Sequence, residues 1–149
     1  MEGVIVAPEM PYSRFMNVSH LTTPQRVSAI SILVVAIAAF LPWVSILGIS
    51  AVGVEGDGFM TLGLAAAGGI VLALTTGIFT TPGRPGKKSQ VTLLVLAVLV
   101  ALIGLLDMNG AAAIGLYLTL FGGIAWVVGA AWQLNVSQAV SVEPGEPSA

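Results

Sequence analysis

The chain has 149 residues, of which 56% are hydrophobic and 8% are charged, and its mean hydropathy is +0.99. Soluble domains carry roughly 25% charged residues, so this composition excludes an ordinary soluble domain and indicates a membrane protein. The net charge of -2 gives no basis for nucleic-acid binding, and the absence of cysteine excludes a disulfide framework and a thiolate metal site.

Four apolar stretches follow an N-terminal arm of residues 1–23. A helix needs about 20 apolar residues, with a range of about 17–25, to cross a bilayer. The sequence therefore predicts an all-α membrane protein with a four-helix transmembrane domain at residues 24–136. We place its spans at about residues 27–47, 60–80, 90–106 and 112–134. Residues 137–149 are small, acidic and proline-containing, which predicts a disordered tail.

The first predicted helix begins near Thr23 and Pro24, an N-cap residue followed by a proline at the first helical position. Pro42 lies late in the span and should loosen its final turn. Trp43 then marks the outer interface, where tryptophan is enriched. After it we expect a short hairpin-like or irregular segment on the outer membrane surface or against helices two to four.

The basic residues predict the orientation of the helices. They precede helix one or lie between helices two and three: Arg14, Arg26, Arg84, Lys87 and Lys88. The positive-inside rule makes that side cytoplasmic, so both termini are expected in the cytoplasm. Four residues are then candidates for an outer-surface site: Trp43, Glu55, Asp57 and Asp107.

Helices two and four carry small residues that are typical of close helix packing in membranes. The candidates are Gly63, Gly69, Ala73 and Gly77 in helix two, and Gly122 and Gly129 in helix four. Two interpretations are open. These residues form internal seams of the bundle, or one strip of them contacts a partner subunit.

The sequence offers no constellation for catalysis. No ionisable or strongly polar group is apparent inside the four spans, and Glu55 and Asp57 supply only two carboxylates, fewer than a calcium loop requires. A turn that caps helix two explains the pair better. We therefore predict no catalytic residue, no metal site, no cofactor and no enzymatic activity.

Three segments together resemble a group of small, functionally uncharacterised four-helix membrane proteins of actinobacteria. They are "AFLPWVSILG", the "VEGDG" turn with "FMTLGLAAAGGIVLAL", and "GLYLTLFGGIAWVVGA", within residues 27–132. The resemblance implies a multi-pass protein of the bacterial cytoplasmic membrane. It implies no activity, catalytic residue or cofactor.

These observations favour an accessory or assembly subunit of a larger membrane complex, in respiratory or cell-envelope machinery. Its expected partners are the lipid bilayer and other membrane subunits or further copies of itself. The alternative is a small transporter or channel that forms its pathway as an oligomer.

Overall fold

A computed structural model describes residues 21–77, 86–108 and 110–141 of the chain. In chain order these residues form α1 (Thr23–Ala38), β1 (Pro42–Ile46), β2 (Ile49–Val52), α2 (Gly58–Thr76), α3 (Lys87–Leu106) and α4 (Ile114–Ser141), with a short 3-10 helix at Gly53–Glu55 before α2. Residues 1–20 of the N-terminal arm, most of the linker after α2, and residues 142–149 of the tail lie outside the described residues.

The predicted helical architecture is confirmed. Within the described residues, α2, α3 and α4 are long and apolar enough to cross a membrane. The prediction of four comparable spans is wrong for the first helix, because α1 has 16 residues. At 1.5 Å per residue, α1 is about 24 Å long, whereas a hydrocarbon core is about 30 Å thick.

Helix α1 ends at Ala38, nine residues before the predicted end of its span at Leu47. The cause is local, because Pro42 has no N–H to donate and the residue before a proline avoids the α conformation. After the helix, the chain forms two hydrogen bonds between residues three apart, from Phe40 N to Ile37 O and from Leu41 N to Ala38 O. Pro42 therefore starts a strand and does not loosen a helical turn.

The other helix ends differ less from prediction. Gly77 closes α2 in the left-handed conformation, with φ of 71°, which glycine adopts without strain. Helix α4 continues to Ser141, past the predicted end of the span at residue 134. The first five residues of the predicted disordered tail are therefore helical.

The four helices form a closed ring in which α1 contacts α4, α4 contacts α3, α3 contacts α2 and α2 contacts α1. Glycines of α4 face α1 at intervals of seven residues. A Cβ on Gly115 would lie 2.9 Å from Ala38 O, one on Gly122 would lie 3.0 Å from Val35 Cγ2, and one on Gly129 would lie 2.8 Å from Ser28 Oγ. The two backbones can approach this closely only because α4 carries no side chain there.

Trp126 of α4 occupies the centre of the ring. Its side chain is fully buried and packs on Gly68 of α2, where an added Cβ would collide with the benzo ring. The surrounding core is aliphatic and includes Val35, Ala97 and Val100. Trp126 Nε1 has no hydrogen-bond partner in the described part of the chain. Gly68 and Trp126 thus link α2 and α4 across the ring.

Candidate functional site

The chain between α1 and α2 is an antiparallel β-hairpin. Its partners are Val44 with Ala51, Ser45 with Ser50, and Ile46 with Ile49, and the register shifts between Pro42 and Val44. Leu47 and Gly48 form the two-residue turn with φ of 50° and 85°. Positive φ at both positions is the pattern of a type I′ turn, which matches the twist of paired strands.

The hairpin is attached to the bundle by backbone hydrogen bonds along β1 and at its base. Ser45 N donates to Ala111 O at 3.0 Å, and Ala113 N donates to Trp43 O at 2.8 Å, so the α3–α4 connection pairs with β1. At the base of the hairpin, Gly53 N donates to Leu41 O at 3.1 Å, and Val54 N donates to Ala39 O, next to the end of α1, at 2.9 Å. Together these segments form a β-structured cap over the helix ends that we call the outer cap.

Trp43 lies inside this cap. Its indole N–H donates to Ala38 O at 2.9 Å, and only 5% of the residue is exposed. Its ring fills the space that the missing side chains of Gly53 and Gly115 leave open. The prediction that Trp43 marks the lipid interface is therefore wrong, because the bulged strand turns the ring onto the end of α1.

Below the hairpin is a cavity of about 250 Å³ between β1, β2, the start of α2 and the end of α3. Its apolar lining includes Trp43, Val52 and Leu116, and its acidic lining consists of Glu55, Asp57 and Asp107. The structure thus brings together the four residues that the sequence singled out at this end of the molecule. The basic residues of the described ranges, Arg26, Lys87 and Lys88, lie in the first turns of α1 and α3, at the opposite end.

The carboxylates are placed by the start of α2. Asp57 is the N-cap residue of α2, but its side chain makes no capping hydrogen bond, so the predicted capping role is absent. Gly58 must be a glycine, because a Cβ there would lie 2.5 Å from the carbonyl carbon of Gly53. Asp57 lines the cavity, and its carboxylate does not cap the first turn of α2.

The surroundings of Asp107 in the cavity disfavour its charged form. Burial, and then the negative charge of Asp57, raise the pKa of the Asp107 carboxyl above its ordinary value. Asp107 follows the C-terminus of α3, where the helix dipole also disfavours a negative charge. The outer cavity is consequently an acidic environment with apolar walls, suited to cationic or hydrogen-bond-donating groups. The described residues contain no group of three or more His, Cys, Asp or Glu side chains that could hold a metal ion.

The small residues of α2 divide between two faces. Gly69 contacts Ile32 of α1, and Gly68, which the sequence analysis did not single out, contacts Trp126. Gly63 has nothing within 4 Å of an added Cβ and lies on the exposed face. Ala73 is half-buried, and Gly77 ends the helix. In α4, Gly122 and Gly129 are internal and contact α1. Gly63 is therefore an exposed member of the predicted set and is open to a partner.

A second polar feature lies at the end of the bundle opposite the outer cap, and sequence reasoning missed it. Gln133 Nε2 of α4 donates to Ser28 Oγ at 2.9 Å and to Pro24 O at 3.3 Å, both in α1. Gln90 Nε2 of α3 donates to Ser137 Oγ at 2.6 Å. Ser28 is fully buried and both glutamines are nearly so. The expectation of no strongly polar group inside the spans is therefore wrong, and the available signal was a glutamine at the end of each of two apolar stretches.

Comparison of the chain with protein-family models, with curated protein sequences and with solved structures gives no match in any of the three.

Proposed function

We propose that this protein is a non-catalytic integral membrane protein that serves as an accessory or assembly subunit of a larger bacterial membrane complex, in respiratory or cell-envelope machinery. In this proposal α1 also crosses the bilayer, and residues 39–42 complete its path. Both termini lie in the cytoplasm, on the side of Arg26, Lys87 and Lys88. The resemblance to the actinobacterial four-helix proteins belongs to this proposal, and it supports the location in the cytoplasmic membrane.

The observation that carries the proposal is the exposed face of α2. Phe59, Ile70 and Leu74 are each at least 60% exposed, and small residues lie between Phe59 and Ile70 on the same face of the helix. Among these small residues, Gly63 and Ala67 are both exposed and four residues apart. Such a pair lets a second transmembrane helix approach closely, and lipid provides no hydrophobic force that could replace this packing. We call this surface, Phe59 to Leu74, the α2 outer face.

The test uses full-length tagged protein at native abundance, extracted in gentle detergent and analysed by native electrophoresis. The expected result is migration in an assembly much larger than the 15.2 kDa chain. Gly63→Leu should release the protein from that assembly, because the large side chain blocks helix approach. A Cβ at Gly63 meets nothing within 4 Å, so the bundle itself should remain folded.

The matched control is Ala125→Leu, the same type of small-to-large change at an exposed site on α4. It should leave the assembly intact. A wild-type protein that migrates as a lone monomer would overturn the proposed function. Equal behaviour of the two variants would overturn the assignment of the α2 outer face.

One observation favours the alternative, a small oligomeric transporter or channel. The acidic outer cavity, lined by Glu55, Asp57 and Asp107, could serve as an entrance for cations. Trp126 and Gly68 fill the centre of the single chain, so such a path would have to run between chains. Cation flux into liposomes that contain the purified protein would support this function if it falls in Asp57→Asn and Asp107→Asn and responds to Gly63→Leu on the exposed face of α2. Absence of flux in a reconstituted oligomer would exclude it.

A further inference from the structure

The tip of the β-hairpin is an exposed apolar surface. Leu47 is 99% exposed, Ile49 is 80% exposed and Ile46 is 55% exposed. Ile46 and Ile49 are cross-strand partners, so their side chains lie on the same face of the hairpin, and Leu47 extends beyond them. We call these three residues the hairpin tip.

Leucine is an unusual choice for its position in the turn. Residues with positive φ in a type I′ turn are normally Asn, Asp or Gly, because a larger side chain is strained there. Leu47 nevertheless has φ of 50°. Its side chain is almost completely exposed, so packing against the rest of the protein does not compensate for this strain. The turn thus carries a bulky apolar side chain where the backbone conformation disfavours one, an outlier of the kind that accompanies a binding role.

The position of the hairpin along the chain indicates what covers this tip. No charged residue occurs between Arg26 and Glu55. Helix α1 is about 24 Å long, so residues after Ala38 must complete a path of about 30 Å across the hydrocarbon. An exposed apolar stripe on α1, formed by Ile30, Leu33 and Ile37, leads toward the hairpin and continues in Phe40 after the helix end. The hairpin therefore starts at the level where the lipid-facing surface of α1 ends.

We infer that the hairpin tip inserts into the outer-leaflet lipid at the boundary between acyl chains and headgroups, and anchors the outer cap beside the bundle. The inference rests on the membrane location proposed above. A second copy of the chain fits less well, because specific interfaces bury about 800 Å² per partner and three side chains supply far less. Lipid sets no such minimum area, since each apolar side chain gains from insertion independently.

The natural chain lacks cysteine, so single-cysteine variants of the full-length protein can carry one nitroxide label each. The variants are Leu47→Cys and Ile49→Cys in the tip, Ile70→Cys on the α2 outer face, and Lys87→Cys at the start of α3. Each is reconstituted into vesicles of phosphatidylethanolamine and phosphatidylglycerol. Electron paramagnetic resonance then measures collisions of the label with oxygen, which partitions into lipid, and with a water-soluble nickel chelate.

The expected oxygen-to-nickel ratio at 47 and 49 is similar to that at 70 and on the order of tenfold higher than at 87, because oxygen is concentrated in apolar lipid and the chelate is excluded from it. If the label at position 70 is exposed to lipid but both tip labels collide mainly with nickel, the lipid inference is overturned and the membrane location stands. If the label at position 70 also collides mainly with nickel, the proposed membrane location is overturned as well.

A second copy on the tip gives a different signature. Labels at 47 and 49 would then be protected from both reagents, and their spectra would show dipolar broadening that dilution with unlabelled protein removes. That result overturns the inference in favour of self-association. Leu47→Asn is the matched variant for the label at 49, because Asn-Gly suits a type I′ turn and keeps the hairpin folded. We expect it to lower the oxygen-to-nickel ratio at 49 several-fold, and an unchanged ratio would show that Leu47 does not anchor the tip.

Discussion

The contact between Gly68 and Trp126 leads to the sharpest stability prediction. Gly68→Ala should destabilise the bundle, because the new methyl group collides with the benzo ring of a fully buried tryptophan. The ring cannot turn away easily, since the surrounding helices hold it on every side. Overpacking of this kind costs about 1–3 kcal/mol.

The change from glycine to alanine also affects the backbone, and a matched variant separates the two effects. Gly63 lies on the same helix, and a Cβ there meets nothing within 4 Å. Gly63→Ala therefore reports the gain in helix propensity alone, at most about 1 kcal/mol. The difference in unfolding free energy between the two variants should equal the packing cost, about 1–3 kcal/mol, with Gly68→Ala the less stable.

The assay is unfolding of the purified protein in mixed micelles with increasing SDS, followed by circular dichroism so that tryptophan changes do not disturb the signal. In a Trp126→Leu background, Gly68→Ala should cost less than it does in the wild type, and the double-mutant cycle measures this coupling between the two neighbours. Equal stability of the alanine variants at 63 and 68, or additive effects in the cycle, would refute the central role of this contact.

Three further predictions follow from other parts of the molecule. A double-mutant cycle between Gln133→Ala and Ser28→Ala should give a coupling of about 0.6–1.7 kcal/mol in the same SDS assay, from the average to the maximum for hydrogen bonds between membrane helices. Zero coupling would contradict the hydrogen bond. Asp57→Asn should lower the pKa of Asp107 without restoring its ordinary value, because the charge effect disappears while burial remains; carbon-13 NMR of the labelled carboxyl checks this. Since the pKa of Asp107 is raised in the folded state, its contribution to the free energy of unfolding becomes more favourable to the folded state as the pH falls through that pKa toward the ordinary value. Asp57→Asn should weaken this pH dependence of stability. Leu47→Asn should slow hydrogen exchange of the hairpin amides in detergent, because asparagine tolerates the left-handed conformation that strains leucine; faster exchange would show that the leucine stabilises the turn.

The sequence predicted the helices well where composition alone decides the structure. Long uncharged stretches identify α2, α3 and α4, because a chain in lipid must satisfy its backbone hydrogen bonds within each segment. The first stretch was extended too far. Its apolar composition continues through Pro42 and Trp43, but proline and strand pairing determine the backbone there, and hydropathy contains no information about either.

The candidate outer site was predictable as a set of residues and not as an arrangement. The sequence predicts that Glu55, Asp57 and Asp107 lie at the same end of the helices. Their convergence on one cavity depends on how the hairpin pairs with the α3–α4 connection. That pairing joins segments more than 60 residues apart in the chain. The burial of Trp43 also depends on it, and an interfacial tryptophan and a buried one look identical in sequence.

The glycines show why helix faces were harder to predict than helices. Gly115, Gly122 and Gly129 recur every seven residues, and the structure explains this period by one continuous seam with α1. In α2 the adjacent residues Gly68 and Gly69 face different neighbours, so a strip drawn through Gly69, Ala73 and Gly77 misses the contact with Trp126.

Different interactions stabilise the two ends and the middle of the bundle, and this difference explains why the indole N–H of Trp126 has no partner among the described residues. At the level opposite the outer cap, hydrogen bonds of Gln90 and Gln133 join three helices, and at the other end the paired strands fix the cap. In the described residues the middle level shows neither feature, so close packing must hold the helices together there, as it does between helices in lipid. The large, rigid indole of Trp126 packs on Gly68 and supplies that packing between α4 and α2, on opposite sides of the bundle. An unsatisfied N–H costs about 1–3 kcal/mol, and loss of a buried tryptophan side chain costs about 3–5 kcal/mol, so the ring stabilises the bundle despite its orphaned donor.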